Sequence, residues 1–400
     1  MLLTIDIGTS NFKSALWDYN GNRLGFASAP MSQDGDSSQW LRGFRFCCLQ
    51  LGNQDKIKTI VISGNGPTLV PVLLNGNTSD ARLWFDRGAE EYQDEVSKIM
   101  GGFVDAAFFL PKVLMIKNEE EDLYRHTKYF LGCPEYLAYK LTNCACSVFP
   151  SDGFDRWFWN DEVLKKLGLD KSKFPPFIRP GNKFGVLSEK VADKFGFNKN
   201  IPVISGGPDF YAAIIGAGIT KPGEALDRTG SSEGINLCTE NCVNADRLMS
   251  YGHPIKPYWN LSGKIDMSGF MIEQTSEILG LSNIKDFFAV ARESENSTQR
   301  ETANAVLQEL CYKVKEIIDK MEETGVKINL LRVTGGISAN DYMNQLKADI
   351  TGKEIQTLHY KEAELLGCAI IGSCFLGKYS SFNEACAKLV KIEKKYLPNS

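Results

Sequence analysis

Asp6, Gly8, Thr9, Ser10, Asn11 and Lys13 fall within one short run, TIDIGTSNFK. Glycine lets the backbone turn tightly there, and the successive amides and hydroxyls of Thr9, Ser10 and Asn11 can converge on an anion such as phosphate. Asp6, at the end of the preceding apolar strand, is placed to hold hydrated magnesium, which takes one or two carboxylates together with phosphate oxygens. Lys13 adds positive charge. An ordinary hairpin with a polar turn would carry the same residues. The run is not a P-loop, because no GxxxxGK[ST] leads into a helix.

Three further stretches have chemical content. In SGGPDFYAAIIGAG a buried strand, Ile201 to Ile204, runs through two glycines to Asp209, the position expected of a general base or a metal-linked carboxylate. The plainer reading of Asp209 is a helix cap. In RVTGGISAN, Gly335 and Gly336 follow a strand and precede Ser338 and Asn340, so a flat ring such as adenine can lie against bare backbone. A tight strand-to-helix connection explains that pattern equally. In VISGNGPTLVPVLLNGNTSDARLWFDRGAEEY, Asn65, Thr68, Asp86 and Arg87 can bond hydroxyls while Trp84 packs on sugar C–H groups, which is what a polyol site needs.

These residues require a scaffold of strand ends. Leu2 to Ile7, Phe12 to Trp17 and Arg23 to Ala29 read as three consecutive strands, with Asn20-Gly21 a hairpin signal. Lys58 to Ser63 and Leu69 to Leu74 follow as strands. The region from about 88 to 200 reads as mainly helical, LYRHTKYFLGCPEYLAYKLT and DEVLKKLGL most clearly. Laid over the amino end, the second half of the chain sets Gly230-Ser231-Ser232 on Gly8-Thr9-Ser10, each within a strand, turn and strand. Glu233 to Cys238, the helix Glu301 to Thr324, and the strand Asn329 to Thr334 then repeat the order of elements.

Composition narrows the partners. A chain of 400 residues with 43% hydrophobic content is long enough for about two domains with cores of their own. A net charge of −4, with no like-charge run longer than Glu119 to Asp122, offers no field for nucleic acid or an anionic membrane. No apolar run approaches the ~18 residues of a membrane span, and MLLTIDIGTS does not read as a signal peptide. The 11 cysteines form no CxxC pair, and the three histidines are scattered, so reduced structural thiols in a cytoplasmic protein are expected, without a zinc site or a His-based triad.

Taken in order, the motifs resemble the FGGY carbohydrate kinases of the actin-like ATPase superfamily. TIDIGTSNFKSALWD is similar to the family's first phosphate loop, ARLWFDRGAEEY to its Trp-x-Asp segment and GGPDFYAAIIGAG to its catalytic-Asp strand. PGEALDRTGSSEG resembles its second phosphate loop, VTGGISANDYMNQLKADITG its adenosine loop and AELLGCAIIGSCFLGKYSSFNEA its closing helix. The resemblance implies an α/β fold of two actin-like ATPase (ribonuclease H-like) lobes around a cleft. The expected bounds are 1–220 and 221–400, with a last helix at about 382–397 able to pack back on the first lobe. It implies an ATP- and Mg2+-dependent kinase acting on a small-molecule sugar, polyol or sugar acid, and it leaves a homodimer open.

On this resemblance Asp209 is the base and Asp6 holds magnesium through water. Gly8, Thr9, Ser10, Asn11 and Lys13, with Gly230, Ser231 and Ser232, bind phosphates. Gly335, Gly336, Ser338 and Asn340 bind adenosine, and Asn65, Thr68, Trp84, Asp86 and Phe210 face the substrate. The chain departs from the family at Gly66-Pro67 and Phe210, which disfavours xylulose and glycerol as substrates. It also lacks much of the stretch between Gly230 and Gly335. That shortening motivates an alternative: a sugar- or nucleotide-binding regulatory protein with the same fold and little turnover. A chaperone-like or filament-forming ATPase fits less well, since such proteins lack the GGPDFYAA element.

Overall fold

Alternating apolar runs broken by two turns make the amino end an antiparallel meander: β1 (Leu2–Ile7), β2 (Asn11–Trp17) and β3 (Arg23–Pro30). The computed structural model describes residues 1–230, 232–266, 268–293 and 295–399. Helix α1 (Ser38–Leu51) crosses over to β4 (Thr59–Gly64), which pairs parallel with β1 so that Asp6 lies beside Ser63 and Ile7 beside Gly64. The chain then makes β5 (Leu69–Leu73), α2 (Gln93–Met100), α3 (Phe109–Glu119), α4 (Glu121–His126), β6 (Thr127–Gly132) and α5 (Cys133–Thr142). After β7 (Ser147–Val148), α6 (Asp161–Lys166), β8 (Phe177–Ile178), β9 (Lys183–Val186) and α7 (Glu189–Phe195), it returns as β10 (Pro202–Pro208) and runs straight into α8 (Asp209–Gly216). β10 lies parallel to β4 with a bulge between Ser205 and Gly207, completing a sheet of order β3-β2-β1-β4-β10-β9.

The second sheet is built in the same way. β11 (Glu224–Thr229), β12 (Glu233–Thr239), β13 (Met249–Gly252) and β14 (Trp259–Ile265) precede three helices, α9 (Ser268–Ile278), α10 (Ile284–Glu293) and α11 (Ser297–Glu322). β15 (Leu330–Gly335), α12 (Asp341–Thr351), β16 (Ile355–Leu358), α13 (Ala363–Phe375), α14 (Phe382–Leu389) and β17 (Ile392–Tyr396) follow, and the order is β13-β14-β12-β11-β15-β16-β17. In both sheets a hairpin lies against a third strand that runs parallel to its first arm, β4 on β1 and β15 on β11. The internal echo of the sequence is therefore an echo of topology.

The chain divides into one compact unit of Met1–Ala212 with Glu364–Lys388 and another of Ala213–Ala363 with the residues from Leu389 onward. This differs from bounds at 1–220 and 221–400, because α13 is apolar on nearly every side and completes the first unit's core. Its Gly367 sits so close to the start of α8 that a Cβ there would lie 1.8 Å from the Ala212 carbonyl oxygen. The expected helix over 382–397 ends at Leu389, and Ile392–Tyr396 instead adds an edge strand to β16. LYRHTKYFLGCPEYLAYKLT is likewise interrupted: Thr127–Gly132 pairs antiparallel with β5, and ladder bonding overrides the helical spacing of its apolar residues. Among the described residues no helix is long and apolar enough to cross a membrane.

Gly367→Ala is expected to lower stability by about 1–3 kcal/mol through overpacking against the α8 backbone. Urea unfolding of the two proteins side by side measures it; an unchanged midpoint would show that α13 has room to shift.

Candidate active site

Parallel pairing sets the carboxyl ends of β1, β4 and β10 in a row, with Gly64 beside both Ile7 and Pro208. Asp6 and Asp209 thus flank the end of β4, about 10 Å apart by two strand spacings. Asp6 is 4% exposed. Asp209 opens α8, and its Oδ1 accepts the Phe210 amide at 2.6 Å. Lys13 stands directly across β2 from Asp6. The turn between them closes with Gly8 N–H donating to Asn11 O at 3.0 Å, and Ser10 O accepts from Met31 at 2.9 Å.

Against this row packs the segment expected to meet the acceptor. The Asn65 amide donates to Ile7 O at 2.8 Å, extending β4 toward the phosphate turn. Thr68 is fully buried; its hydroxyl donates to Asn65 Oδ1 at 2.8 Å and accepts the Trp84 amide at 3.1 Å. Both capacities of Thr68 serve to hold its neighbours, so it shapes the segment. The Trp84 indole N–H donates to Thr9 Oγ at 2.8 Å, a direct link to the phosphate turn that the sequence does not announce. Asp86 accepts the Gly88 amide at 2.8 Å. The Phe210 ring stacks on Phe154 with centroids 5.8 Å apart and planes 12° from parallel.

In the second unit Gly230 and Ser232 lie in the turn between β11 and β12, and Ser231 is outside the described residues. Gly335 has φ +89°, and a Cβ there would fall 1.9 Å from Thr229 O. Its glycine is dictated by the neighbouring strand, while a Cβ on Gly336 would meet nothing within 4 Å, so Gly336 is the bare backbone a ring could approach. Ser338 is buried and donates to Gly335 O at 2.7 Å, and Asn340 caps α12 by accepting the Met343 amide at 3.0 Å. These two side chains shape the loop.

Several buried ionisable groups were not singled out by sequence. The Cys133 thiol donates to Asn65 O at 3.1 Å; burial, and then the charges of Glu135, Asp209 and Asp6, push its pKa well above the usual thiol range. The charges of Asp6 and Asp209 thus both act on one sulfur. Burial pushes Glu135 up to about 7 against the bonds it accepts from its own amide and from Val148 N at 3.1 Å. Burial pulls Lys112 down to about 7, opposed by Asp86 and Asp105. In the second unit Lys347 bridges Asp227 and Glu233, 2.6 Å from the latter, on the two arms of the phosphate hairpin. Burial works against its charge, but the two carboxylates outweigh it and raise its pKa. A lone lysine inside FFLPKVLMI is the signal that could have exposed Lys112.

Glu135 carries a pH dependence of definite sign. With its folded pKa raised from 4.5 to about 7, the folded state binds the proton more tightly, so its contribution to stability falls as pH rises from about 4.5 to 7 and is constant above. Relative to wild type, Glu135→Gln is expected to gain about 3 kcal/mol across that window, read by urea unfolding from pH 4.5 to 8. A difference that does not change with pH would mean the carboxyl titrates normally.

Residues 1–216 match the N-terminal domain of the FGGY family of carbohydrate kinases and residues 284–375 its C-terminal domain. The xylulose kinase of Staphylococcus xylosus is 25% identical over 99% of this chain and 95% of its own length. The glycerol kinase of Enterococcus faecalis is 21% identical over 96% and 90%. The crystal structure of gluconate kinase from Lactobacillus acidophilus shares the fold, with a TM-score of 0.85 at 17% identity over 100% of this chain and 93% of that one. With one family domain covering more than half of the residues and the other following in order, the chain belongs to the FGGY family of carbohydrate kinases.

Proposed function

We propose that the protein transfers the γ-phosphoryl group of ATP to a hydroxyl of a sugar, polyol or sugar acid, with Asp209 as the base. The observation that carries this reading is the bond from Trp84 to Thr9, which ties an acceptor-type segment to a phosphate-type turn beside two carboxylates. Phosphoryl transfer asks for positioning and charge neutralisation more than for covalent chemistry. Asp209, at the mouth of β10, orients the acceptor hydroxyl and takes its proton as the new O–P bond forms. The amides and hydroxyls of Gly8 to Asn11 hold the phosphates, Lys13 adds charge, and Trp84 and Asp86 receive the acceptor. In the second unit, Gly230 and Ser232 provide the other phosphate turn, and Gly336 offers open backbone to the nucleotide.

Asp6 fits a hydrated magnesium ion. It is a nearly buried hard oxygen donor at the end of a strand, beside the turn assigned to phosphate. Such a site suits an ion that keeps most of its waters and takes phosphate oxygens for the rest. Bound there, magnesium would neutralise phosphate charge.

Asp209→Ala is expected to lower kcat by about 10²–10⁴-fold, in the range of lost general-base catalysis, with ATP binding retained. ADP release against a panel of ketoses, polyols and aldonates measures it. Undiminished turnover in the variant removes Asp209 from the mechanism, whereas calorimetric binding of acceptor and ATP with no product from wild type favours the regulatory reading.

A further inference from the structure

Lys112 is 1% exposed and lies in the first turns of α3, among Leu110, Val113, Leu114 and Ile116, all buried. An ammonium taken out of water must have its donors satisfied, or its burial costs several kcal/mol. Its Nζ donates to three main-chain carbonyls: Leu83 O at 2.6 Å, Pro67 O at 3.1 Å and Arg82 O at 3.4 Å. The number of acceptors equals the number of its protons. The acceptors come from two separate stretches, the loop after β4 and the strand leading to Trp84, which this one cation fastens together.

The residues on either side of those carbonyls are the ones assigned to the acceptor. Pro67 is followed by Thr68, which holds both Asn65 and the Trp84 amide. Leu83 precedes Trp84, and its carbonyl also accepts the Asp86 amide at 3.0 Å. A second anchor lies at the far end of α3. One guanidinium nitrogen of Arg82 donates to both carboxylate oxygens of Glu120, at 2.6 and 2.8 Å, immediately after the last residue of the helix. One rigid helix therefore grips the same short segment at both of its ends, once through a buried cation and once through a half-buried ion pair.

We infer that α3 positions the acceptor segment, with Lys112 as its positioning residue and the Arg82–Glu120 pair as its second anchor. The inference rests on the assignment of Asn65, Trp84 and Asp86 to the acceptor. Lys112 acts through the main chain: without its three bonds, Trp84 and Asp86 are no longer held at fixed places relative to Asn65. Binding of ATP uses other residues and is not involved.

The test is steady-state kinetics on the full chain, with D-xylulose, glycerol and D-gluconate as acceptors, for wild type, Lys112→Met, Lys112→Arg and Glu120→Gln. Wild type comes first: phosphorylation of none of the three, with no calorimetric binding, is a failure of the acceptor assignment itself and is seen before any variant is made. Where wild type binds without turnover, the calorimetric Kd replaces KM. Lys112→Met keeps the stem and removes the donors, and is expected to raise the acceptor KM at least tenfold while the KM for ATP stays within twofold. Lys112→Arg, whose planar fork cannot converge on three carbonyls as an ammonium does, is expected to raise the acceptor KM severalfold with the same selectivity. Glu120→Gln keeps the volume of a half-buried side chain beyond the end of the helix, so it reads the second anchor even if both Lys112 variants fail to fold; at least a threefold rise in acceptor KM is expected. An acceptor KM within twofold of wild type in any folded variant overturns the inference. So does a parallel change in the KM for ATP, which would mark a general loss of structure.

Discussion

Parallel strands hydrogen-bond in a slanted, evenly spaced ladder, and that ladder leaves no freedom in where β1, β4 and β10 end. Because Ile7, Gly64 and Pro208 stand in one row, the chain leaves all three strands along one edge of the sheet. The next residues to be delivered are the turn from Gly8 to Asn11, Asn65 and Asp209. This is the general logic by which α/β sheets place ligands beyond the carboxyl ends of their strands. The bulge at Ser205 to Gly207 alters the register of β10 just before Asp209, a device common beside active sites because it re-aims the side chains that come after it. Behind the edge, α13 presses on the start of α8 closely enough that only glycine fits at 367, so the helix that begins at Asp209 is braced by its neighbour.

The ionisable groups around that edge show how burial is resolved by the choice of partner. Lys112 and Lys347 are equally hidden, each 1% exposed, yet their affinities for the proton move in opposite directions. Lys112 meets neutral carbonyls, which satisfy its donors but return little of the lost hydration, so its pKa falls to about 7. Lys347 meets two carboxylates, and its pKa rises. The first arrangement organises main chain from two separate stretches. The second sets one ammonium between two acids beneath the turn from β11 to β12, where burial and the neighbouring Asp227 push the Glu233 carboxyl up to about 8. Cys133 follows the same rule: surrounded by acids and apolar atoms it stays protonated, and its S–H serves as a donor to Asn65 O.

Much of this was legible in the sequence where the signal was local. Period-two alternation and Asn20-Gly21 point to the meander, and the repeat of Gly8-Thr9-Ser10 in Gly230-Ser231-Ser232 points to the second hairpin. What sequence could not supply were interactions set by distant partners. Thr127 to Gly132 has apolar residues at helical spacing, and only the presence of β5 makes it a strand. Ile392 to Tyr396 becomes an edge strand because β16 offers an unpaired side. Within the site, the residue types of Trp84 and Thr68 are informative but their partners are not. Nothing local distinguishes an indole that stacks on sugar from one that also bonds Thr9, or a threonine that faces ligand from one consumed by its neighbours. The place of Asn340 after the two glycines suits adenosine, yet it is also the cap of α12, and the capping bond claims its oxygen.

The duplicated hairpins also explain why one topology can serve two electrostatic tasks. Each has an antiparallel arm and a parallel neighbour, and each turns at a glycine followed by hydroxyl residues. At the corresponding place before the turn, the first carries Asp6 and the second Arg228. A turn alone gives amide donors, which suit any anion. The residue before the turn differs in charge between the two, a carboxylate in the first hairpin and a guanidinium in the second. In the second hairpin the neighbouring acids Asp227 and Glu233 both meet Lys347, and burial, with Asp227 beside it, pushes the Glu233 carboxyl up to about 8. One strand-and-turn topology thus carries two charge patterns, set by the residue before each turn and, in the second hairpin, by a buried lysine between two acids.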